Sequence, residues 1–150
     1  MPTRGIASRL KGQAFIIEES ADDFTPADGN GFDTALTEGC WFEVDVRPGG
    51  SQGDINVTLQ HADSDVNAAY APIDDRLLEI AFTERAKPAQ EQVTVSGGGV
   101  ALDETKVGRH YIGYKGNKRY VRAISSGAAG TPDFAISVGA SAALFRRHNH

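Results

Sequence analysis

Cys40-Trp41-Phe42-Glu43-Val44-Asp45-Val46-Arg47 alternates with a period of two: Cys40, Phe42, Val44 and Val46 fall on one side, Glu43, Asp45 and Arg47 on the other. Successive side chains of a strand point to opposite faces, so this is the pattern of a strand with one face in a core and the other in water. Pro48-Gly49-Gly50-Ser51 closes it with turn residues. The same period follows at once, with Ile55, Val57 and Leu59 alternating with Asn56, Thr58 and Gln60. Two adjacent half-buried strands predict an all-β chain whose core includes Phe42, Val44, Val57 and Leu59.

Outward from this pair, short apolar runs recur between Gly, Pro, Asp and Asn. Residues 13–18 form a first strand, 22–31 a turn-rich loop, and 93–95 a further short strand ended by Gly97-Gly98-Gly99. Residues 72–84 have two readings. Ile73, Leu77, Leu78 and Phe82 fall near one helical face behind Asp74-Asp75, which suits a helix N-terminus. The same residues also fit an irregular excursion ending in a strand at 78–82. Runs at 107–114 and 119–124 flank Lys115-Gly116-Asn117-Lys118, which predicts a β-hairpin. Residues 127–132 read as a loop and 134–145 as a last strand, with 146–150 as an extended basic tail. The expected fold is one antiparallel β-sandwich over 1–150, with long loops, at most one short helix and about twelve extended N-terminal residues.

Composition supports a core and excludes several classes. The chain has 150 residues, 40% of them hydrophobic, with 17 Gly and one Cys. At this length folding buries roughly 68–70% of the unfolded surface, so no staple is needed. One Cys excludes an internal disulfide and every multi-Cys metal centre. No run approaches the ~18 apolar residues of a spanning helix. Ala14-Phe15-Ile16-Ile17 is too short for the core of a leader peptide, which predicts a protein made in a reducing cytoplasm. Charge is lopsided: residues 1–105 hold seven Lys/Arg against nineteen Asp/Glu, and residues 106–150 hold eight against one. Acidic and basic strands cancelling inside one fold, an acidic partner, or stacked copies would each account for it.

Motifs of chemistry fall short. Asp63, Asp65 and Asn67 match the first ligands of a calcium loop, but Ala68 stands where Gly is needed and Asp74 where a bidentate Glu is needed. A turn whose Asp and Ser side chains bond backbone N–H groups explains them equally well. Gly97-Gly98-Gly99 lacks the Lys-Ser/Thr and the helix of a phosphate cradle. Cys40 sits on the apolar strand face and reads as core. His61, His110, His148 and His150 share no ligand spacing, and no nucleophile elbow is present. No enzyme, cofactor or metal is expected.

Residues 108–122 are basic and aromatic together. Arg109, Lys115, Lys118, Arg119 and Arg122 stand among Tyr111, Tyr114 and Tyr120, without one carboxylate. That suits nucleic acid, a solvated sheet face or a protein interface. A chain of net charge −5 argues against nucleic acid. The candidate interface residues are Arg109, Tyr111, Tyr114, Lys118, Arg119, Tyr120 and Arg122.

This element carries a resemblance. Val57-Thr58-Leu59-Gln60-His61 with Asp63-Ser64-Asp65, then Tyr111-Ile112-Gly113-Tyr114-Lys115-Gly116-Asn117-Lys118-Arg119-Tyr120-Val121-Arg122, resembles the cement or decoration proteins of tailed-bacteriophage capsids. The last apolar run and basic His-containing tail, 138–150, are similar to the close of such chains, and the likeness spans about 40–150. The short Asp-Gly-Ser-Trp turn usual after the third strand is replaced by Val66-Asn67-Ala68-Ala69-Tyr70.

The resemblance implies a jelly-roll-like virion protein without catalytic site. It would bind the major capsid protein on the capsid exterior, self-associate at symmetry axes, and touch neither nucleic acid nor membrane. A tail or head–tail connector component is the alternative within virions. A carbohydrate-binding sandwich using Trp41, Tyr70, Tyr111 and Tyr114 is the alternative outside them, and a hydrolase comes third.

Overall fold

The structure, a computed structural model, describes residues 10–15, 23–25, 29–47, 55–85, 90–127 and 134–142. Eleven strands run through these residues: β1 (Leu10–Phe15), β2 (Asp23–Phe24), β3 (Phe32–Asp33), β4 (Thr37–Val46), β5 (Ile55–Ala62), β6 (Ala71–Pro72), β7 (Leu78–Arg85), β8 (Gly99–Leu102), β9 (Gly108–Tyr114), β10 (Tyr120–Gly127) and β11 (Phe134–Ala142). They form two antiparallel sheets. The first has the order β1-β11-β4-β9-β7; in the second β10 and β5 are central, with β2 and β3 along β10 and β6 and β8 along β5. Helical structure among the described residues is confined to single 3-10 turns at Asn67–Ala69, Asp75–Leu77 and Glu104–Lys106, so no helix there is long and apolar enough to cross a membrane.

The alternation seen at 40–47 is what joins the sheets. Cys40, Phe42, Val44 and Val46 are buried while Trp41, Glu43 and Asp45 are only half-buried. Ile112 on β9 and Phe134, Ile136, Val138 and Ala140 on β11 extend the same inner face. Opposite them lie Ile55, Val57 and Leu59 of β5 and Val121 and Ala123 of β10, with Phe32, Ile73, Val93, Val100 and Leu102 closing the sides in one cluster. Phe42, Val44 and Leu59 are wholly inaccessible and Val57 is 1% exposed, so the four expected core residues are core. Each such side chain contributes about 1.5–3 kcal/mol relative to leaving it in water.

Several expectations need correction. The hairpin around Lys115-Gly116-Asn117-Lys118 does not form: β9 pairs with β4 and β7 in the first sheet, whereas β10 pairs with β5 in the second. Residues 115–119 therefore cross between sheets. The Lys115 N–H donates to the Leu77 carbonyl at 2.7 Å, and the Lys118 N–H to the Tyr114 hydroxyl at 3.1 Å, rather than across a two-strand ladder. A short Gly/Asn turn serves either geometry, and the longer apolar faces of β4 and β5 decide which partner each strand takes.

Residues 72–84 follow the second of their two readings. Asp74 caps only a 3-10 turn, its carboxylate accepting the Arg76 N–H at 2.9 Å, and β7 then runs on to Arg85. Residues 93–95 form no ladder, although Val93 is buried; the pairing there is the bridge Ser96↔Gly99. The first strand begins three residues earlier than expected, and residues 16–18 lie outside the described residues, as do 1–9, 128–132 and 143–150. The loop at 22–31 includes the two-residue strand β2.

Candidate partner interface

The seven candidate interface residues separate into three places: two inside, three at one end of the sandwich, and two on the outer face of the first sheet.

Tyr114 and Arg122 are inside. Tyr114 is 8% exposed, its ring edge-on to His61 with centroids 5.7 Å apart, and its hydroxyl lies 2.8 Å from His61 Nδ1. Burial pushes the Tyr114 phenol up and the His61 imidazole down, the latter helped by the Lys118 ammonium and opposed by Asp63. Arg122 pairs across the ladder with Gln60, and both point away from the core, yet Arg122 is only 4% exposed. The segment 67–70 covers it. Its Nε donates to Gln60 Oε1 at 2.8 Å, its Nη1 donates to Asn67 Oδ1, and its guanidinium lies 4.0 Å from the Tyr70 ring centroid. A guanidinium satisfies such a site because it offers a planar fork of donors and a flat cationic face together.

A second layer holds that cover in place. The Tyr70 hydroxyl donates to Asp65 Oδ1 at 2.6 Å, and both Asp65 carboxylate oxygens accept the Gly31 N–H at 3.1 Å. Burial, then the bond to Asp65, drives the Tyr70 phenol upward. Gly31 is required by this approach: a Cβ there would overlap the Tyr70 hydroxyl and lie 2.6 Å from Asp65 Oδ1. The calcium-like triplet is thus spent on separate donors: Asp63 on Lys118, Asp65 on Tyr70 and Gly31, Asn67 on Arg122. Among the described residues no three His, Cys, Asp or Glu side chains form a group that could hold a metal ion.

Lys118, Arg119 and Tyr120 lie at the end where loops 29–37, 63–70 and 115–119 meet. Lys118 Nζ is 2.7 Å from Asp63, and Arg119 grips both oxygens of Asp33 at 2.9 Å while lying 5.1 Å from the Tyr120 ring centroid. Thr34 ties the loops together, its N–H and hydroxyl both donating to the Arg119 carbonyl at 2.7 Å. Beyond Thr34 the chain turns at Leu36, which has φ 63° and is 71% exposed; Val66, 45% exposed, belongs to the adjoining loop. A bulky residue in the left-handed region is a genuine outlier, and this one gains nothing from burial in the isolated chain.

Arg109 and Tyr111 face outward on β9. Tyr111 lies opposite Glu43 in the ladder, two positions along the strand from Arg109, and its ring lies 5.8 Å from that of Phe82. Burial and then the Glu43 carboxylate raise the phenol's pKa; the Tyr111 hydroxyl, with Asp45 and Glu43 nearby, raises that of Arg109. On β4 beside them, Trp41 lies across Gly139 of β11: a Cβ at Gly139 would meet three indole atoms at 2.8 Å.

The lopsided charge cancels in part in space. Lys118–Asp63, Arg119–Asp33, Lys115–Glu79 (3.5 Å) and Lys106–Glu91 (3.8 Å) each join a cation of the last third to an acid of the first two thirds. Two other sequence readings hold. Cys40 is buried, with its thiol pushed up to about 12 by that burial, far from a reactive thiolate. Gly97 and Gly98 form a tight turn with φ 63° and 80°, and their N–H groups bind an internal anion, the Asp75 carboxylate, at 3.0 and 2.6 Å.

The Asp65–Tyr70–Arg122–Gln60 cluster was invisible in the one-dimensional pattern. The available signal was an Arg in an otherwise apolar strand register, which must find acceptors if covered. Comparison with protein-family models, with curated proteins and with solved structures finds no match to this chain.

Proposed function

We propose that this chain is a non-enzymatic structural protein of a tailed-phage virion, a jelly-roll-like decoration protein that binds the outside of the major capsid shell and stabilises it. The single observation that carries the reading is the exposed, left-handed Leu36 at the loop end, beside the Lys118–Asp63 and Arg119–Asp33 pairs. Holding a bulky side chain in that conformation costs on the order of 1–3 kcal/mol. An exposed apolar side chain on a loop that also carries the Asp33–Arg119 pair fits a contact completed on a partner, where the apolar centre is buried and the rim stays polar. The resemblance of residues 111–122 to decoration proteins supports the same partner. Among the described residues, the carboxylates of Asp33, Asp63, Asp65 and Asp75 bond groups that hold the loops in shape, which favours a binding role over catalysis. Contacts repeated between copies at symmetry axes would act multivalently, so each can be modest.

The test is co-sedimentation with undecorated shells of the major capsid protein, run beside a thermal melt. Leu36→Asp and Arg119→Glu should melt close to the parent and lose at least about tenfold in shell affinity. Shell binding unchanged in both variants defeats the reading.

A further inference from the structure

We propose a second binding site, independent of the virion reading: the outer face of the first sheet is a platform for a neutral polysaccharide, centred on Trp41, Tyr111 and Gly113. Three observations carry it. The two aromatic rings are laid on the sheet rather than packed in the core. Trp41 covers Gly139 and stays half-exposed, while Tyr111, half-buried with its ring 5.8 Å from that of Phe82, stands one row further along on the neighbouring strand. Between them and β7 is a bare strand position. Gly113 pairs with Trp41 on one side and Glu79 on the other, and a Cβ there would meet only the Glu79 carbonyl, at 3.7 Å. A glycine inside a strand with open space above it marks a place where something else comes close to the backbone.

The third observation is what the face lacks. Its outward positions include Gly39, Trp41, Glu43, Asp45, Arg109, Tyr111, Gly113, Ala135, Ser137 and Gly139, with Phe82 of β7, 56% exposed, beside Tyr111, and no branched aliphatic is among them. The centre of a protein–protein contact is depleted in charge, and covering Glu43, Asp45 and Arg109 with protein would desolvate them. Sugar rings suit both halves of this surface. Their C–H faces lie against the electron-rich faces of Trp and Tyr, and their hydroxyls bond carboxylate and guanidinium without requiring net charge. Diagonal cross-strand neighbours such as Trp41 and Tyr111 are about 7–8 Å apart, which spaces two plates for linked rings. Tyr70 and Tyr114, the other aromatics a sugar site could draw on, are held by Asp65 and His61 and take no part.

Trp41 is the only tryptophan of the chain, so its emission reports on this site alone. The experiment titrates the full-length protein with cellohexaose, xylohexaose, mannohexaose, laminarihexaose and chitohexaose in turn, to about 10 mM. The expected result is a saturable change in emission with at least one oligosaccharide. It should weaken at least about tenfold in Tyr111→Ala and in Gly113→Leu, the latter filling the bare position, while both variants keep the parent's far-UV circular dichroism. No change with any of the five, or a change that survives both substitutions, overturns the site. Shell co-sedimentation reads the opposite question, at the loop end, so the two proposals fail separately.

Discussion

Arg122 shows how one residue's role changes once its surroundings are known. In the chain it is one of five cations in a basic stretch; in the fold it is the cation around which Gln60, Asn67 and Tyr70 are arranged. Reversing its charge buries a carboxylate where Gln60 Oε1 and Asn67 Oδ1 now accept and against the face of the Tyr70 ring, with no cation in place of the guanidinium. Arg122→Glu should therefore cost about 3–5 kcal/mol in a urea melt, the penalty of an uncompensated buried charge. A loss below about 1 kcal/mol would mean that the site opens to water at little cost.

His110 is the other buried ionisable residue with a definite consequence. It is inaccessible, its Nε2 lies 2.6 Å from the Lys106 carbonyl, and its Nδ1 meets no hydrogen-bonding atom among the described residues. Thr83 and Val44 are its cross-strand neighbours. Burial holds its pKa below the usual 6.5; the Lys106 ammonium adds to this, while the Lys106 carbonyl and Asp45 oppose it. The unfolded chain then binds the proton that the folded one refuses. Stability is complete above about pH 6.5 and falls as pH drops below it, at up to about 1.4 kcal/mol per pH unit for this group. His61, shifted the same way, adds to the slope. Urea melts from pH 8 to 5, roughly spanning that range, should show the decline, and His110→Gln should flatten it in part. An equal slope in that variant would place the origin elsewhere.

At the scale of elements, the tight turn Ser96–Gly99 separates two reasons for glycine. Both Gly97 and Gly98 have positive φ, yet a Cβ on Gly97 meets nothing within 4 Å, whereas on Gly98 it would lie 2.7 Å from the Ile73 carbonyl and 2.9 Å from Pro72 Cβ. Gly97→Ala should cost only the backbone term, about 1–2 kcal/mol. Gly98→Ala should cost clearly more, because the turn must also lift off Ile73, weakening the bonds of Asp75 to the turn's N–H groups. Equal losses in a thermal melt would show that this approach has slack. The edge strand β7 is handled differently: its register to β9 shifts between Ile80 and Phe82, and such a bulge, with Glu79, Glu84 and Arg85 alongside, blunts an edge against further pairing.

Across the whole molecule, the candidate interface was legible as a composition and not as a place. The stretch 108–122 reads as a single basic and aromatic hairpin only if its two strands pair with each other. Because β9 and β10 belong to different sheets, its seven candidates are spread over an outer face, an interior and a loop end. The charge imbalance between the two parts of the chain disperses for the same reason. Strands distant in sequence become neighbours, and exposed pairs such as Arg119–Asp33 then satisfy the cations locally, each worth only about 0.2–1 kcal/mol. What remains for partners is apolar and aromatic surface that the fold leaves exposed or half-exposed: Leu36 and Val66 at the loop end, and Trp41 and Tyr111 with Phe82 on the outer face of the first sheet.

The sequence by itself determined the central strands β4 and β5 and their inward faces, since an alternation of period two at 40–47 and 55–60 is a local property that any half-buried strand must have. It also determined that Cys40 is core and that the Gly97-Gly98-Gly99 run is a turn, because side-chain character and backbone freedom decide these within a few residues. Only the tertiary structure decided which strands are neighbours, that residues 115–119 cross between sheets, and that Arg122 is covered while Arg119 is not. Those outcomes depend on contacts between residues as far apart as Asp33 and Arg119 or Gln60 and Arg122, and a local pattern holds no term for a partner that the chain has yet to bring near.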